Sequence, residues 1–235
     1  MPIARTREDH ADHSASLKCW ACQAPASGGH FCPVCQKIQP LPPGTDYFAF
    51  FGFPPKLEID EGSLEGLFHK LSWKLHPDNF VRASEFERNL SLERSSELND
   101  AYRTLRDPLS RIEYLLEHLG VRKEGTTRQQ APPELLEEAF ELNESLDELR
   151  EARAAGEDIA VLRDRLALAH KNFADKLAEI DAAILDLARE WDAALDAHAP
   201  DDKKSAILGR FNEILNRRAY IRNLVSGVQR ELAEA

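Results

Sequence analysis

From Asp46 to the C-terminus, apolar residues recur every third or fourth position, the period that lines one face of an α-helix. No run alternates apolar and polar residues over strand length, so the pattern predicts an all-α fold. A short aromatic helix starts near Asp46, carries Tyr47, Phe48, Phe50 and Phe51, and stops at Gly52 and Pro54. The next runs from about Asp60 to Leu75 on Leu64, Leu67, Phe68, Leu71 and Leu75; Pro77 ends it, having no N–H and restricting its predecessor. Ser84 and Glu87 have capping-box spacing and open a third helix, with Leu90, Leu98, Ala101, Tyr102 and Leu105 on its inner face. Asp107-Pro108 supplies an N-cap and a proline at the first helical position for a fourth, ending near Gly120.

Residues 120–132 are polar and read as a linker. Three amphipathic helices follow at about 133–154, 158–197 and 202–233. Ile159, Leu162, Leu166, Phe173, Leu177, Ile180, Ile184, Leu187 and Trp191 give the middle one coiled-coil spacing. Gly156 and His198-Ala199-Pro200 make short connections, which imply antiparallel neighbours and a three-helix bundle over 133–235. Upstream, residues 1–18 are polar and read as disordered, and 19–44 hold all four cysteines and five prolines without helical period.

Composition narrows the function classes. Of 235 residues 43% are hydrophobic, an ordinary globular share. A net charge of −11, spread along the chain, argues against nucleic acid, which calls for a basic surface. No apolar run approaches the roughly 18 residues of a membrane span, so no membrane partner is expected. The first residues lack an apolar secretory core, and Glu8, Asp9 and Asp12 speak against a transit peptide. Bacterial cytoplasm is therefore expected ahead of the mitochondrial matrix.

Cys19-Trp20-Ala21-Cys22 and Cys32-Pro33-Val34-Cys35 are paired knuckles nine residues apart, enough thiolates for one closed tetrahedral zinc site. A module of 25 residues or so cannot build its own core, so one structural zinc per chain would supply its folding free energy. His30 could replace one ligand. The rival is redox chemistry, since Cys-Trp-x-Cys resembles thioredoxin-like motifs; those follow a strand at a helix N-terminus, and no such strand is readable.

Between two amphipathic helices sits His76-Pro77-Asp78. Pro77 forces the chain out of the helix and presents Asp78 in a loop, where its carboxylate can take charge-assisted hydrogen bonds from a partner arginine. Lys70, Lys74 and Arg82 place positive charge around it; the plain alternative is an ordinary solvated face. With the short aromatic helix before it and Leu98-Asn99-Asp100-Ala101-Tyr102-Arg103-Thr104-Leu105 after it, residues 45–119 resemble a J domain. The resemblance implies that His76, Pro77, Asp78, Lys70, Lys74 and Arg82 meet a DnaK-type chaperone and stimulate its ATPase.

Thr104-Leu105-Arg106-Asp107-Pro108-Leu109-Ser110-Arg111, then Glu113-Tyr114-Leu115-Leu116 and the stretch from Leu135 to Leu149, resemble the HscB family of iron–sulfur cluster assembly. The family implies a non-enzymatic adaptor that brings the scaffold protein IscU to an HscA-type chaperone. By that similarity Leu136, Phe140, Glu141, Glu144 and Tyr220 match scaffold-binding positions. Spacing alone leaves two readings of Leu136 and Phe140: a docking pair beside the seam of Leu135, Ala139, Leu142, Leu146 and Leu149, or a wider core face. The cysteine extension resembles the eukaryotic branch of the family, and its role stays open between fold support, a homo-oligomer contact and client contact. The alternative functions are a general J-protein with another client and a thiol–disulfide oxidoreductase. No phosphate loop or nucleophile–base pair is visible, so the chain is not expected to be an enzyme.

Overall fold

The computed structural model describes residues 18–122 and 132–234. Most of the polar N-terminus and of the linker expected at 120–132 lies outside them. Seven α-helices account for most of the described chain: α1 (Tyr47–Phe51), α2 (Glu61–Leu75), α3 (Glu85–Arg106), α4 (Pro108–His118), α5 (Leu136–Ala155), α6 (Ala160–Asp196) and α7 (Asp201–Glu234). Single 3-10 turns at Pro77–Phe80 and Pro133–Leu135 complete them. Among the described residues the only β pairing is two isolated bridges in the cysteine segment.

Helix ends follow the local chemistry. Asp46 and Asp60 cap α1 and α2 by accepting the N–H of Ala49 and of Ser63. Ser84 and Glu87 form the reciprocal box at α3, and Asp107 accepts the N–H of Ser110 at 2.7 Å ahead of Pro108. Gly52 and Gly156 close α1 and α5 at φ 75° and 70°, left-handed values that cost a β-carbon-bearing residue energy.

The chain divides into two compact units, one reaching Arg111 but lacking Lys56–Glu58, the other comprising Lys56–Glu58 and everything from Ile112 onward. In the first, α2 packs on α3, with Leu64, Leu75, Leu90, Leu98, Ala101 and Leu105 buried and Phe68 stacked on Tyr102 at 4.1 Å between ring centroids. Phe48, Phe50 and Phe51 of α1 join that core.

In the second unit, Leu135, Ala139, Leu142, Leu146 and Leu149 form the buried seam of α5. It packs against α6 through Leu166, Phe173, Ile180, Ile184, Leu187 and Trp191, and α7 adds Ile207, Phe211, Leu215, Ile221 and Val228. Ion pairs fix the order. Glu138 meets Lys176 and Glu148 meets Arg165, so α5 and α6 run antiparallel. Asp181 meets Arg218 and Glu190 meets Arg210, so α7 turns back again. The result is an up-down-up three-helix bundle. Lys56–Glu58 is tied to it by Asp192, whose carboxylate accepts the N–H of Leu57 at 2.7 Å and of Glu58 at 2.8 Å.

Candidate functional site

The His-Pro-Asp turn is a presented acid on an anchored base. Leu75 is fully buried at the end of α2, and its carbonyl accepts the hydroxyls of Ser91 at 2.7 Å and Ser95 at 3.0 Å from α3. Phe80, closing the 3-10 turn, is also buried. Asn79 donates its side-chain amide to the carbonyl of Trp73 at 2.7 Å, binding the loop back onto the last turn of α2. Held at both ends, the turn exposes what lies between: the Asp78 side chain is 85% exposed, and Nδ1 of His76 accepts the Asp78 N–H at 3.3 Å. The same Nδ1 lies 3.5 Å from a carboxylate oxygen of Asp78. Lys70, Lys74 and Arg82 are all exposed. Trp73, between the two lysines, is 76% exposed, an apolar feature that periodicity alone did not single out.

The cysteine segment folds as two knuckles of one design. In each, the first sulfur accepts two N–H groups: Cys19 from Ala21 and Cys22 at 3.3 and 3.5 Å, Cys32 from Val34 and Cys35 at 3.4 and 3.5 Å. In each, a glutamine follows the second cysteine in the left-handed region, Gln23 at φ 61° and Gln36 at φ 58°. The N–H groups of Gln23 and Gln36 turn back to the carbonyls of Cys19 and Cys32 at 3.0 Å. The bridges Lys18 to Pro25 and Phe31 to Ile38 close the two hairpins.

All four sulfurs lie within 4.8 Å of one another and none is in a disulfide. Cys19 Sγ and Cys35 Sγ are 3.6 Å apart, Cys22 Sγ and Cys32 Sγ 3.7 Å. A tetrahedron with metal–sulfur bonds of about 2.3 Å has edges of about 3.8 Å, so the four cysteines are placed to hold a metal ion. Their acidities are spread apart. Burial opposes ionisation of Cys19, yet N–H groups from Cys22 and Ala21, with the neighbouring thiols, outweigh it and bring the thiol down to about 6. For Cys35 the Lys37 N–H favours thiolate, but burial and three adjacent thiols push it up to about 12. Four thiolates this close call for a cation before all can ionise. His30 is not among the ligands: its Nε2 donates to the Phe50 carbonyl at 2.9 Å, and burial keeps its pKa below the ordinary histidine value.

On the bundle, Leu136 and Phe140 are 52% and 64% exposed while the adjoining seam is buried, so they do not widen the core. Glu141 and Glu144 on the same helix are exposed. Tyr220 lies half-buried on α7, a different helix from the other four.

No family model matches the chain. Among curated proteins it is 34% identical over 151 residues to a co-chaperone protein HscB homolog of Vibrio vulnificus, spanning 64% of this chain and 85% of that one. An iron-sulfur cluster co-chaperone protein HscB homolog of Arabidopsis thaliana is 36% identical over 163 residues, 68% of this chain and 62% of that one. Among solved structures, human co-chaperone protein HscB matches with a TM-score of 0.57 and 26% identity, covering 90% of this chain and 96% of that one. With a relative matched over most of its length and a solved neighbour matching nearly the whole fold, the chain belongs to the HscB family of co-chaperones.

Proposed function

We propose that the chain activates the ATPase of a DnaK/HscA-type chaperone through His76-Pro77-Asp78 and delivers to it an iron–sulfur scaffold protein of the IscU kind. The observation that carries the reading is the exposed Asp78 carboxylate on a turn whose two ends, Leu75 and Phe80, are buried. A carboxylate presented on a turn with buried ends, met among the described residues by the His76 ring alone at 3.5 Å and otherwise in water, suits a partner's arginine. Lys70, Lys74 and Arg82 add long-range attraction for an acidic face. Leu136 and Phe140 supply the apolar anchors for the scaffold, Glu141 and Glu144 the charged rim, and Tyr220 a further aromatic contact. The metal is zinc, for which four thiolates at tetrahedral spacing are the usual closed structural site. The chain then acts by bringing partners together and needs no catalytic residue of its own.

The test is the steady-state ATPase rate of the cognate chaperone with this protein, with and without the scaffold. Stimulation by the protein alone, multiplied when scaffold is added, is expected. Stimulation indifferent to the scaffold assigns the chain to a different client, and no stimulation removes the reading.

A further inference from the structure

The cysteine module belongs to the same compact unit as α1, α2 and α3, and besides the His30 bond to Phe50 of α1 it makes contacts at the two helix ends that flank the turn. The His-Pro-Asp turn springs from the end of α2 at Leu75 and returns to the start of α3 at Glu85. The module touches both of these ends. At the start of α3, Glu87 holds the capping box with one carboxylate oxygen, Oε2, which accepts the hydroxyl of Ser84 at 2.9 Å and its N–H at 3.3 Å. The other, Oε1, accepts Nζ of Lys37 at 2.8 Å. The Glu87 side chain is only 6% exposed. A carboxylate taken out of water needs a cation beside it, and here the module provides one. One residue earlier, Phe86 meets the indole of Trp20 edge to face, centroids 5.0 Å apart. At the end of α2, Nζ of Lys74 lies 5.8 Å from the centre of the Phe31 ring.

Each of these three module residues stands within two positions of a cysteine of the cluster: Trp20 after Cys19, Phe31 before Cys32, Lys37 after Cys35. The indole is locked in turn by its Nε1–H, which donates to the carbonyl of the fully buried Ile38 at 2.7 Å. The fold of the knuckles therefore sets where the cation and the indole arrive on α3.

We propose that Trp20 and Lys37 are positioning residues for the His-Pro-Asp turn: the module clamps the helix ends from which the turn projects and holds it in its docking geometry. The proposal rests on the reading of that turn as the chaperone site. It assigns the module an intramolecular task, in which loss of the metal loosens a functional loop outside the cluster itself.

The experiment uses the full chain as Trp20→Ala, Lys37→Ala and Lys37→Arg, each first shown to retain its metal. Amide hydrogen exchange is expected to quicken on the order of tenfold across residues 76–90 in both alanine variants, because local opening sets exchange there, and to stay unchanged over 136–234. The co-chaperone concentration giving half-maximal ATPase stimulation rises several-fold while the maximum is kept, and Lys37→Arg restores both readings. Chelation of the wild-type protein reproduces the exchange pattern. Wild-type exchange over 76–90 in metal-loaded Lys37→Ala and Trp20→Ala overturns the proposal, as does an arginine variant no better than alanine. His76→Gln, run alongside, separates the two ideas. If it stimulates normally, the chaperone reading fails, and exchange still judges the clamp.

Discussion

Asp78 and Glu87 are acids of opposite fate, nine positions apart. Asp78 is left largely in water, so on the proposed chaperone reading its replacement costs a partner's contact and little of the fold beyond the His76 pairing. Asp78→Asn and His76→Gln are expected to abolish ATPase stimulation while shifting unfolding free energy by less than about 0.5 kcal/mol, the usual range for exposed positions. Chaperone turnover and circular-dichroism melts check the two halves. Glu87 is bound into the fold. The Lys37 hydrogen bond, against opposing burial and with help from Ser84, holds its carboxyl below the ordinary glutamate value. A depressed carboxyl stabilises the fold above its unfolded value, about 4.3, and that contribution disappears as pH falls through the lower folded value. Denaturant midpoints of the first unit are thus expected to fall steeply below about pH 4, and Glu87→Gln to start lower and fall less.

At the scale of elements, α5 tests whether exposure or packing governs a helix face. Leu136→Ala with Phe140→Ala is expected to leave the bundle's melting unchanged and to weaken scaffold binding by on the order of 2 kcal/mol, as loss of central anchors does. Leu142→Ala, at a seam position 3% exposed, gives the contrast: about 2–5 kcal/mol of stability lost, with binding reduced only as far as the protein unfolds. Melts beside titration calorimetry distinguish them. Asp192 makes a second element-scale case, because it ties α6 to Leu57 and Glu58. Burial raises its pKa against the pull of those two N–H groups, so its contribution to stability declines as pH rises from the ordinary aspartate value through the raised one. Asp192→Ala removes the acceptor of both N–H groups and is expected to cost about 2–3 kcal/mol. Asp192→Asn keeps one carbonyl acceptor, costs less, and abolishes that pH dependence; denaturant titration at two pH values reads both.

These elements also mark what one sequence discloses. The Ser84–Glu87 box, the Asp107-Pro108 start and the α5 seam are set by neighbours within one or two turns, and local spacing shows them. The exposure of Leu136 and Phe140 could not be read that way, because a stripe one side chain wider would have the same period. Asp192 reads as one more acid on a solvated face, since the N–H groups it serves lie some 135 positions earlier. Lys37 reads as a loop lysine until Glu87, fifty positions on, is seen to need it. The repeated Cys-x-x-Cys-Gln of the two knuckles was a legible signal of their common hairpin, visible as Cys22-Gln23 and Cys35-Gln36. The left-handed turn at glutamine was not, because that conformation usually selects glycine or asparagine.

Across the whole molecule, the chain holds two compact units, each with buried apolar side chains, and the four cysteines lie in one of them. A single all-or-none transition is the behaviour of one core, so two are expected in calorimetry of the full chain. They can be assigned by where each perturbation acts. One zinc per chain is expected in protein purified under reducing conditions, because the four sulfurs make one tetrahedral site. Metal binding is linked to the folded form of the module, so removing it takes stability from the unit that contains the module. Chelation, or Cys32→Ser, is expected to lower the transition of the α2–α3 unit and leave that of the bundle in place; Leu142→Ala is expected to do the reverse. Metal analysis with calorimetry before and after chelation decides it. A protein isolated without metal and with two disulfides would return the cysteines to redox chemistry. A metal-dependent shift confined to the bundle transition would show that the knuckles stabilise a different unit from the one they pack in.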